Sequence, residues 1–556
     1  MGDELTAGRL IRRSFRRQRG RLTASTLLLS GHQAAEALVP VMIGVIIDQA
    51  VSTGHVGKLL LWIALLAALF VSLTIFWRFG ARLGITADQR ETHQLRVEVV
   101  ERVLDPRGQR TGLRAGEIMQ IGTSDAELTM NAMHAVGFAV AACTALAVSA
   151  VSLLTINLPL GLSVLIGVPV LVAGLQVLSP LLTRRATAAQ AAAGSTTALA
   201  TDLVRGVRAL RGVGALDAAA TTYRTSSAAA LRASLRAATT NGIYQGITVA
   251  ASGLFLAAVA GFAGWLALDG KITIGELITV VGLAQFVAEP VRLLAVAGQM
   301  LAGARASAGR VATVLSTPHV LTPGTRDGAL PERGIELTGV DYRTLTGLTL
   351  SVGPTETVGV VGYDQRDCDA LVELLSGAVP AGEYDGAITV GGVPAQELDL
   401  ATSRREVLVE HHDVALFEGT LRSNLRAADP AAAIRAAAAD DIVDAHGLDH
   451  PVADRGTTLS GGQRQRIGLA RAFAAAPPVL VLRDPTTAVD AVTEERIAHG
   501  LAELRGTAST VLITSSPALL AIADRIVVIE DGRVAATGTH AELSETNSRY
   551  REAVLR

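Results

Sequence analysis

Lysine is almost missing from this chain. Lys58 and Lys271 are the only two, so nearly all of the 49 basic residues are arginines; with the high alanine content, this bias points to GC-rich bacterial coding. Cysteine is as scarce. Cys143 and Cys368 lie far apart, which excludes a disulfide framework and a cysteine-built zinc site and fits a reducing cytosolic compartment. No grouping of metal-ligating side chains stands out, and no metal site is expected. Aromatic residues make up only 3% and charged residues 18%, too apolar a balance for a disordered chain or an ordinary soluble enzyme. An excess of one charge sign is lacking too: 49 basic against 51 acidic residues leave no cationic field for a nucleic-acid backbone, so nucleic acid is not expected as a partner. What is present is length and hydrophobicity. The chain has 556 residues, 49% of them hydrophobic. Its mean hydropathy is +0.39, and length and hydropathy together imply several domains and a membrane.

The longest absence is of charge. From Asn131 to Thr183 there is no Asp, Glu, Lys or Arg, a run about twice what one bilayer crossing needs at 1.5 Å per helical residue. Asn157-Leu158-Pro159 in its middle predicts a tight turn between two spans, about 133–156 and 158–182. Gly242–Leu268 and Leu59–Trp77 are two further spans. Leu22–Ile47, which contains His32 and Glu36, and Ile274–Leu301, which contains Glu276, Glu289 and Arg292, complete six. The arginine-rich segments 78–130 and 184–240 alternate with short, nearly uncharged ones, which by the positive-inside rule places both long loops and the amino terminus in the cytosol. Apolar spacing in those loops (Leu95, Val99, Val103; Leu203, Val207, Leu210) predicts that the spans continue as helices beyond the bilayer. Arg9–Arg17 mixes arginines with apolar residues as an interfacial helix does, and lacks the apolar core of a signal peptide. For His32, Glu36 and Glu289 two readings stand: pairing or snorkelling among the helices, or contact with a substrate or proton.

After a linker marked by Pro318, Pro323, Gly324, Gly328 and Pro331, short β-type runs (Glu356–Val361, Val479–Leu482, Ser509–Thr514, Arg525–Ile529) alternate with helical stretches, the pattern of a mostly parallel sheet covered by helices. The expected division is 1–21 interfacial helix, 22–310 six-helix transmembrane domain, 311–334 linker and 335–556 soluble domain.

Within that soluble domain, Leu459-Ser460-Gly461-Gly462-Gln463 is followed one helix later by the apolar strand Val479–Leu482. Here the chain resembles ABC transporters, whose nucleotide-binding domain carries an LSGGQ signature and then a Walker B strand. Ser460 would cap a helix whose bare amides and positive dipole end face a terminal phosphate. The resemblance implies an α-helical membrane domain of the exporter type fused to an α/β P-loop-type ATP-binding-cassette domain. The membrane half fits it at Leu38-Val39-Pro40, Ile46-Ile47-Asp48, Gly116-Glu117-Ile118 with Asp125, and Gly270–Leu277, although Gly122 stands where an arginine is usual.

The phosphate loop departs from the family. Where G-x-x-G-x-G-K-[ST] is expected, the chain reads Gly362-Tyr363-Asp364-Gln365-Arg366-Asp367-Cys368-Asp369, so Cys368 replaces the lysine and Asp369 the magnesium-binding hydroxyl. Arg483-Asp484 stands for the Walker B Asp-Glu, His412 for the Q-loop glutamine, Ser515 for the switch histidine, and Thr344, with Tyr342 nearby, for the adenine-stacking aromatic. Three carboxylates, Asp364, Asp367 and Asp369, are expected where a polyphosphate would lie. Either Arg366 and Arg483 neutralise them and plug the site, or weak nucleotide binding persists.

Because each ATP in the family is clamped between the Walker loops of one domain and the signature of the other, the resemblance implies a heterodimer. This chain would be its non-hydrolysing half. It would contribute Ser460, Gly461, Gly462 and Gln463 to ATP and Mg2+ held by a partner half-transporter with intact Walker motifs. Asp490, Asp454 and Arg455 would lie at that interface, and coupling helices would fall near 107–115 and 212–220. The expected location is the bacterial inner membrane, in contact with lipid. The expected activity is ATP-driven export of a hydrophobic, amphipathic or peptide-like compound. Import, for example of a siderophore, and a catalytically dead membrane receptor or regulatory scaffold are the alternatives.

Overall fold

The structure is a computed structural model that describes residues 5–453 and 456–555. It divides into two compact units, one formed by residues up to Arg102 with Gly112–Ser316, the other by Val103–Thr111 with Thr317 onward.

The first unit is all helix: α1 (Ala7–Arg17), α2 (Arg19–Ile46), α3 (Val56–Val103), α4 (Ala115–Gln120), α5 (Ala126–Ile156), α6 (Leu158–Gln176), α7 (Ser179–Arg205), α8 (Val207–Gly212), α9 (Leu216–Leu268) and α10 (Ile274–Ser316). Six helical stretches among the described residues are long and apolar enough to cross a membrane. The expected turn sits at Asn157, whose side chain accepts from the Leu160 amide and caps α6. α3 and α9, at 48 and 53 residues, extend far past a bilayer's thickness, as the loop patterning predicts. Leu60, Leu61, Ile63 and Val71 line the outside of α3, where lipid replaces the protein neighbours that they lack. The short helices expected in the long loops differ in part: residues 104–114 are not helical, the nearest short helix being α4, while of 212–220 the first residue ends α8 and 216–220 begin α9, with a turn between them. Gly112 and Gly214, both at positive φ, break the chain at these points.

Within this unit α2 and α10 approach each other closely. A Cβ on Gly275 would lie 2.1 Å from the Gly44 carbonyl oxygen, so only glycine lets the two backbones meet. Asp48, just past α2, accepts from the Gly275 amide at 2.9 Å and from the Thr273 hydroxyl, tying the same ends together. Deeper along α10, Asp125 is 1% exposed and takes the Arg310 guanidinium at 2.7 Å and the Ser307 hydroxyl at 3.0 Å. Asp125 thus has its cation from residue 310, too remote in sequence for local pattern to show.

The second unit contains two main sheets. Strands β1 (Ile335–Tyr342), β2 (Leu345–Val352), β3 (Thr357–Gly362), β4 (Asp385–Val390), β5 (Val393–Pro394), β6 (Val407–Glu410), β7 (Gly419–Thr420), β8 (Pro451–Val452), β9 (Val479–Arg483), β10 (Ser509–Ile513), β11 (Arg525–Glu530) and β12 (Arg533–Gly538) supply them. The order β12-β11-β3-β10-β9-β6 makes a sheet that is parallel apart from the β11–β12 hairpin, as the alternating pattern predicts. The antiparallel sheet β2-β1-β4-β5 was not legible from the apolar runs. Its helices are α11 (Gln365–Leu375), α12 (Leu400–Glu406), α13 (Leu421–Leu425), α14 (Ala431–Ala436), α15 (Asp440–His446), α16 (Gly461–Ala474), α17 (Ala491–Arg505), α18 (Pro517–Ala521), α19 (His540–Thr546) and α20 (Ser548–Val554). Val358, Val360, Leu371, Val481 and Val511 bury the face between α11 and the parallel sheet, each worth roughly 1.5–3 kcal/mol of transfer free energy.

Residues 103–111 belong to this second unit. Arg110 grips Glu383 in a two-pronged ion pair, its Nη2 at 2.8 Å; Arg404 donates to the Pro106 carbonyl at 2.6 Å, and the Val320 and Leu321 amides donate to the carbonyls of Gly108 and Arg107.

Candidate functional site

The loop after β3 is where a phosphate cradle would form, and the chain closes it with its own carboxylate. Asp364 is the N-cap of α11, its side chain accepting the Arg366 amide at 2.8 Å, and the helix begins at Gln365. Amides that would face a phosphate are thereby turned into the first helical turn, with an anion already at its positive end. Arg366 doubles back onto Asp364 with Nη2 at 2.6 Å and holds its carboxyl down to about 2, from an ordinary 3.8. A depressed carboxylate pKa favours the folded form above the unfolded value and loses that contribution as pH falls toward the folded one. Between about pH 5 and 9 the cap is therefore expected to stay closed, and a proton-dependent change of α11 is expected only near pH 2–4. Nuclear magnetic resonance titration of the Asp364 carboxyl carbon measures this directly.

Asp367 does not join this ion pair. It is 2% exposed and turns away to accept the Gly532 amide at 3.1 Å, in the β11–β12 turn, so it forms no close ion pair with either arginine, although the Arg366 charge still acts on it. Cys368, at the lysine position, is also 2% exposed; its Sγ lies 2.4 Å from where a Cβ on Gly362 would stand, and burial pushes its thiol pKa up. An inert buried thiol thus fills the space under the loop. Asp369 is exposed at the hydroxyl position.

Arg483 ends β9, in a strand whose five residues are all buried. Such central strands are apolar runs, and a guanidinium there is the exception. It is 3% exposed, 3.5 Å from Asp369 Oδ1 and 3.5 Å from Asp484 Oδ2, and its Nε and Nη2 find no hydrogen-bond partner among the described residues. Asp484 follows at a φ of 44°, a left-handed conformation that short polar side chains tolerate. A buried cation with unmet donors costs stability. Arg483→Met is expected to raise unfolding stability by about 1–3 kcal/mol, and Arg483→Asp, which sets a third carboxylate beside Asp369 and Asp484, to lower it by about 3 kcal/mol. Thermal denaturation of the membrane-embedded chain reads both.

On this face the helix N-terminus is capped by the Asp364 carboxylate, Cys368 and Asp369 stand where a lysine and a hydroxyl were expected, and Arg483 ends β9. Tyr342 is unsuited to base stacking: it is 8% exposed and its hydroxyl donates to Glu373 at 2.8 Å, while the buried Thr344 hydroxyl has no partner among the described residues. His412 lies exposed beyond β6 and Ser515 exposed beyond β10.

The signature end is built differently. Ser460 caps α16 by accepting the Gln463 amide at 3.2 Å, and Gln463 Oε1 returns a bond from the Ser460 amide at 2.9 Å. Its hydroxyl and the glycines face outward, apart from Gly462, whose missing Cβ would lie 2.6 Å from the Ala488 carbonyl oxygen. Gln465, which the motif alone does not single out, clamps the following loop by accepting the Ala488 amide at 2.8 Å and donating to the Thr487 hydroxyl at 2.7 Å. Asp490 caps α17 by accepting the Thr493 amide at 3.0 Å, and those bonds hold its carboxyl below the ordinary range. Asp454 and Arg455 lie outside the described residues.

Two family models match the chain: the ABC transporter transmembrane region over residues 22–291 and the model described as ABC transporter over 345–487. A multidrug efflux ATP-binding/permease protein of Mycobacterium tuberculosis is 29% identical over 94% of this chain and 46% of its own length. A mycobactin import ATP-binding/permease protein of Mycobacterium bovis is 30% identical over 73% of this chain and 72% of its own. An ATP-dependent lipid A-core flippase of Neisseria meningitidis is 30% identical over 53% and 50%. The chain spans about half the length of the multidrug efflux relatives. Its fold matches that of a bacterial Atm1-family ABC exporter with ATP bound, at a TM-score of 0.76 and 20% identity over 96% of this chain and 98% of that one. With both family models matched in one polypeptide and a 30%-identical relative covered over 72% of its length, the chain belongs to the ABC transporter family.

Proposed function

We propose that this chain is the non-hydrolysing half of a heterodimeric ATP-driven transporter of the bacterial inner membrane, with its amino terminus and ATP-binding domain in the cytosol. The observation that carries this reading is the contrast between two helix starts: α11 is capped by an anion, Asp364, whereas α16 is capped by the neutral Ser460 hydroxyl and leaves Ser460 and Gly461 exposed. A homodimer would pair two capped loops with two open signatures, leaving neither site with a lysine or a magnesium ligand. A partner half with complete Walker motifs gives the open signature something to clamp. ATP and Mg2+ would be held by that partner, with Ser460, Gly461, Gly462 and Gln463 closing over the terminal phosphate and Asp490 near the seam.

Closure on ATP would then bias the helix bundle between inward- and outward-open states, and hydrolysis would reset it. Export of an amphipathic or peptide-like compound is favoured by the apolar lining of the bundle and by the efflux and flippase relatives; the mycobactin importers among the relatives are what favours the inward direction as the second reading. Isothermal titration of the purified chain with MgATP is expected to give no saturable heat up to about 1 mM, a range where binding is worth only ~4 kcal/mol. Micromolar binding would overturn the closed-loop reading.

A further inference from the structure

We propose that Asp88 and His134 hold a proton that clasps α3 to α5 at the inner end of the helix bundle, and that this clasp loosens as the cytosolic pH rises. The device lies within the membrane unit and is independent of how the ATP site works.

Carboxylates in this part of the bundle are matched by arginines, with one exception. Glu98 takes Arg13 and, at 2.7 Å, Arg17 Nη1; Glu91, 0% exposed, is met by the same Arg17 nitrogen at 3.4 Å and by Gln18 Nε2 at 3.5 Å. Arg96 pairs with Glu127 at 3.1 Å, and Arg310 with Asp125. Arginine keeps its charge at every pH a cell meets, so these pairs are permanent. Asp88 is the exception. It is 7% exposed, and its cationic partner among the described residues is His134, whose Nδ1 lies 3.8 Å from Oδ1. Gln89 Nε2 adds a neutral donor at 3.3 Å.

A 3.8 Å contact is too long for a hydrogen bond, so what holds it is charge on the ring. Opposite an imidazolium the Asp88 carboxylate is compensated; opposite a neutral ring it is a buried anion. Burial pushes the Asp88 carboxyl above its ordinary 3.8, against the pull of His134. The attraction therefore needs a charged carboxylate and a charged ring. It is present on the acid side of the imidazole's titration and is lost as pH rises through it.

No neighbouring group can take over this part. On α3, Arg90 and His93 lie on the exposed face and Arg96 is committed to Glu127. On α2, Arg21 donates to Gln18 Oε1 at 2.9 Å, and on α5 the Glu127 charge opposes ionisation of Asp88. On α10, Arg310 is committed to Asp125 and Arg305 is exposed. The clasp also borders a space. His134 walls a cavity of about 160 Å³ with Leu22, Trp77, Ile85, Met133 and Phe138, side chains from α2, α3 and α5. Parting α3 from α5 at Asp88 opens that wall at its inner edge.

The test uses the full chain in nanodiscs of zwitterionic lipid, without nucleotide, with thermal unfolding followed at about pH 6 and about pH 8. The melting temperature is expected to be higher at the acid value by about 3 °C or more. His134→Gln is expected to lose most of that difference and to melt near the alkaline value throughout. His134→Arg, whose charge does not titrate in this range, is expected to lose the difference too but to melt near the acid value. Comparison with the variants removes the share of the other histidines among the chain's 11. A parent without the pH difference, or a folded His134→Gln or His134→Arg chain that keeps it in full, would overturn the clasp. Amide exchange in the unaltered chain, corrected for intrinsic rates, decides the matter where no variant folds. Opening over 84–95 and 127–137 is expected to be at least about fivefold faster at the alkaline value, with α9 unchanged, and equal opening at both values would overturn the proposal.

Discussion

Replacing Ser460 by Arg in the co-purified pair is expected to abolish ATP turnover, by at least about 100-fold, while leaving assembly intact. Ser460 sits at the exposed start of α16, and its hydroxyl accepts the Gln463 amide. Loss of that cap alone costs about 1 kcal/mol, which α16 can bear because Ile467, Leu469, Ala470 and Phe473 bury its other face. The larger effect is steric and electrostatic. A guanidinium projecting from this point occupies the space of the partner's terminal phosphate and holds the clamp open, removing stabilisation of the kind that a single positioned donor supplies at about 10²–10³ in rate. Ser460→Ala separates the two effects: it loses the cap and keeps the space, and is expected to retain most of the turnover.

The second large effect concerns the bundle. Gly275→Val is expected to destabilise the membrane unit by about 3–5 kcal/mol, enough to lower the yield of folded chain sharply. The first carbon of any side chain at 275 meets the Gly44 carbonyl oxygen at 2.1 Å and the Asp48 carboxylate at 2.5 Å, and the first of these is helix backbone, which cannot yield by rotating one flexible group. Gly57→Val is the control, since nothing lies within 4 Å of a Cβ there and the change is expected to stay within about 0.5 kcal/mol. Thermal unfolding in detergent of both variants against the parent reads the difference.

How much of this was legible in the chain beforehand follows the range of the interactions. The six crossings and the turn at Asn157 are written in local composition, because a bilayer demands long uncharged runs. The parallel sheet is likewise local, its central strands being short continuous apolar stretches. The signature was legible since a helix cap is a matter of four consecutive residues. What sequence spacing could not supply was the destination of each displaced charge. Asp367 carries no mark of its bond to the Gly532 amide, 165 positions on, and the expectation that an arginine would meet it fails for that reason. Arg310 meets Asp125 from 185 positions away. Nor could a motif show that Asp364 folds the phosphate loop into the helix, because this depends on the φ and ψ that Asp364 adopts as a cap. The coupling segments expected near 107–115 and 212–220 came from the resemblance alone; 107–114 form no helix, and 212–220 straddle the turn at Gly214 between α8 and α9.

The central claim is that this chain lends a phosphate clamp and keeps no working site of its own. Steady-state phosphate release by the purified chain, alone in nanodiscs with saturating MgATP, tests it most directly. The account predicts a rate indistinguishable from empty discs, rising only when a half-transporter with complete Walker motifs is added. Turnover by the lone chain that disappears in its own Ser460→Arg variant would contradict it.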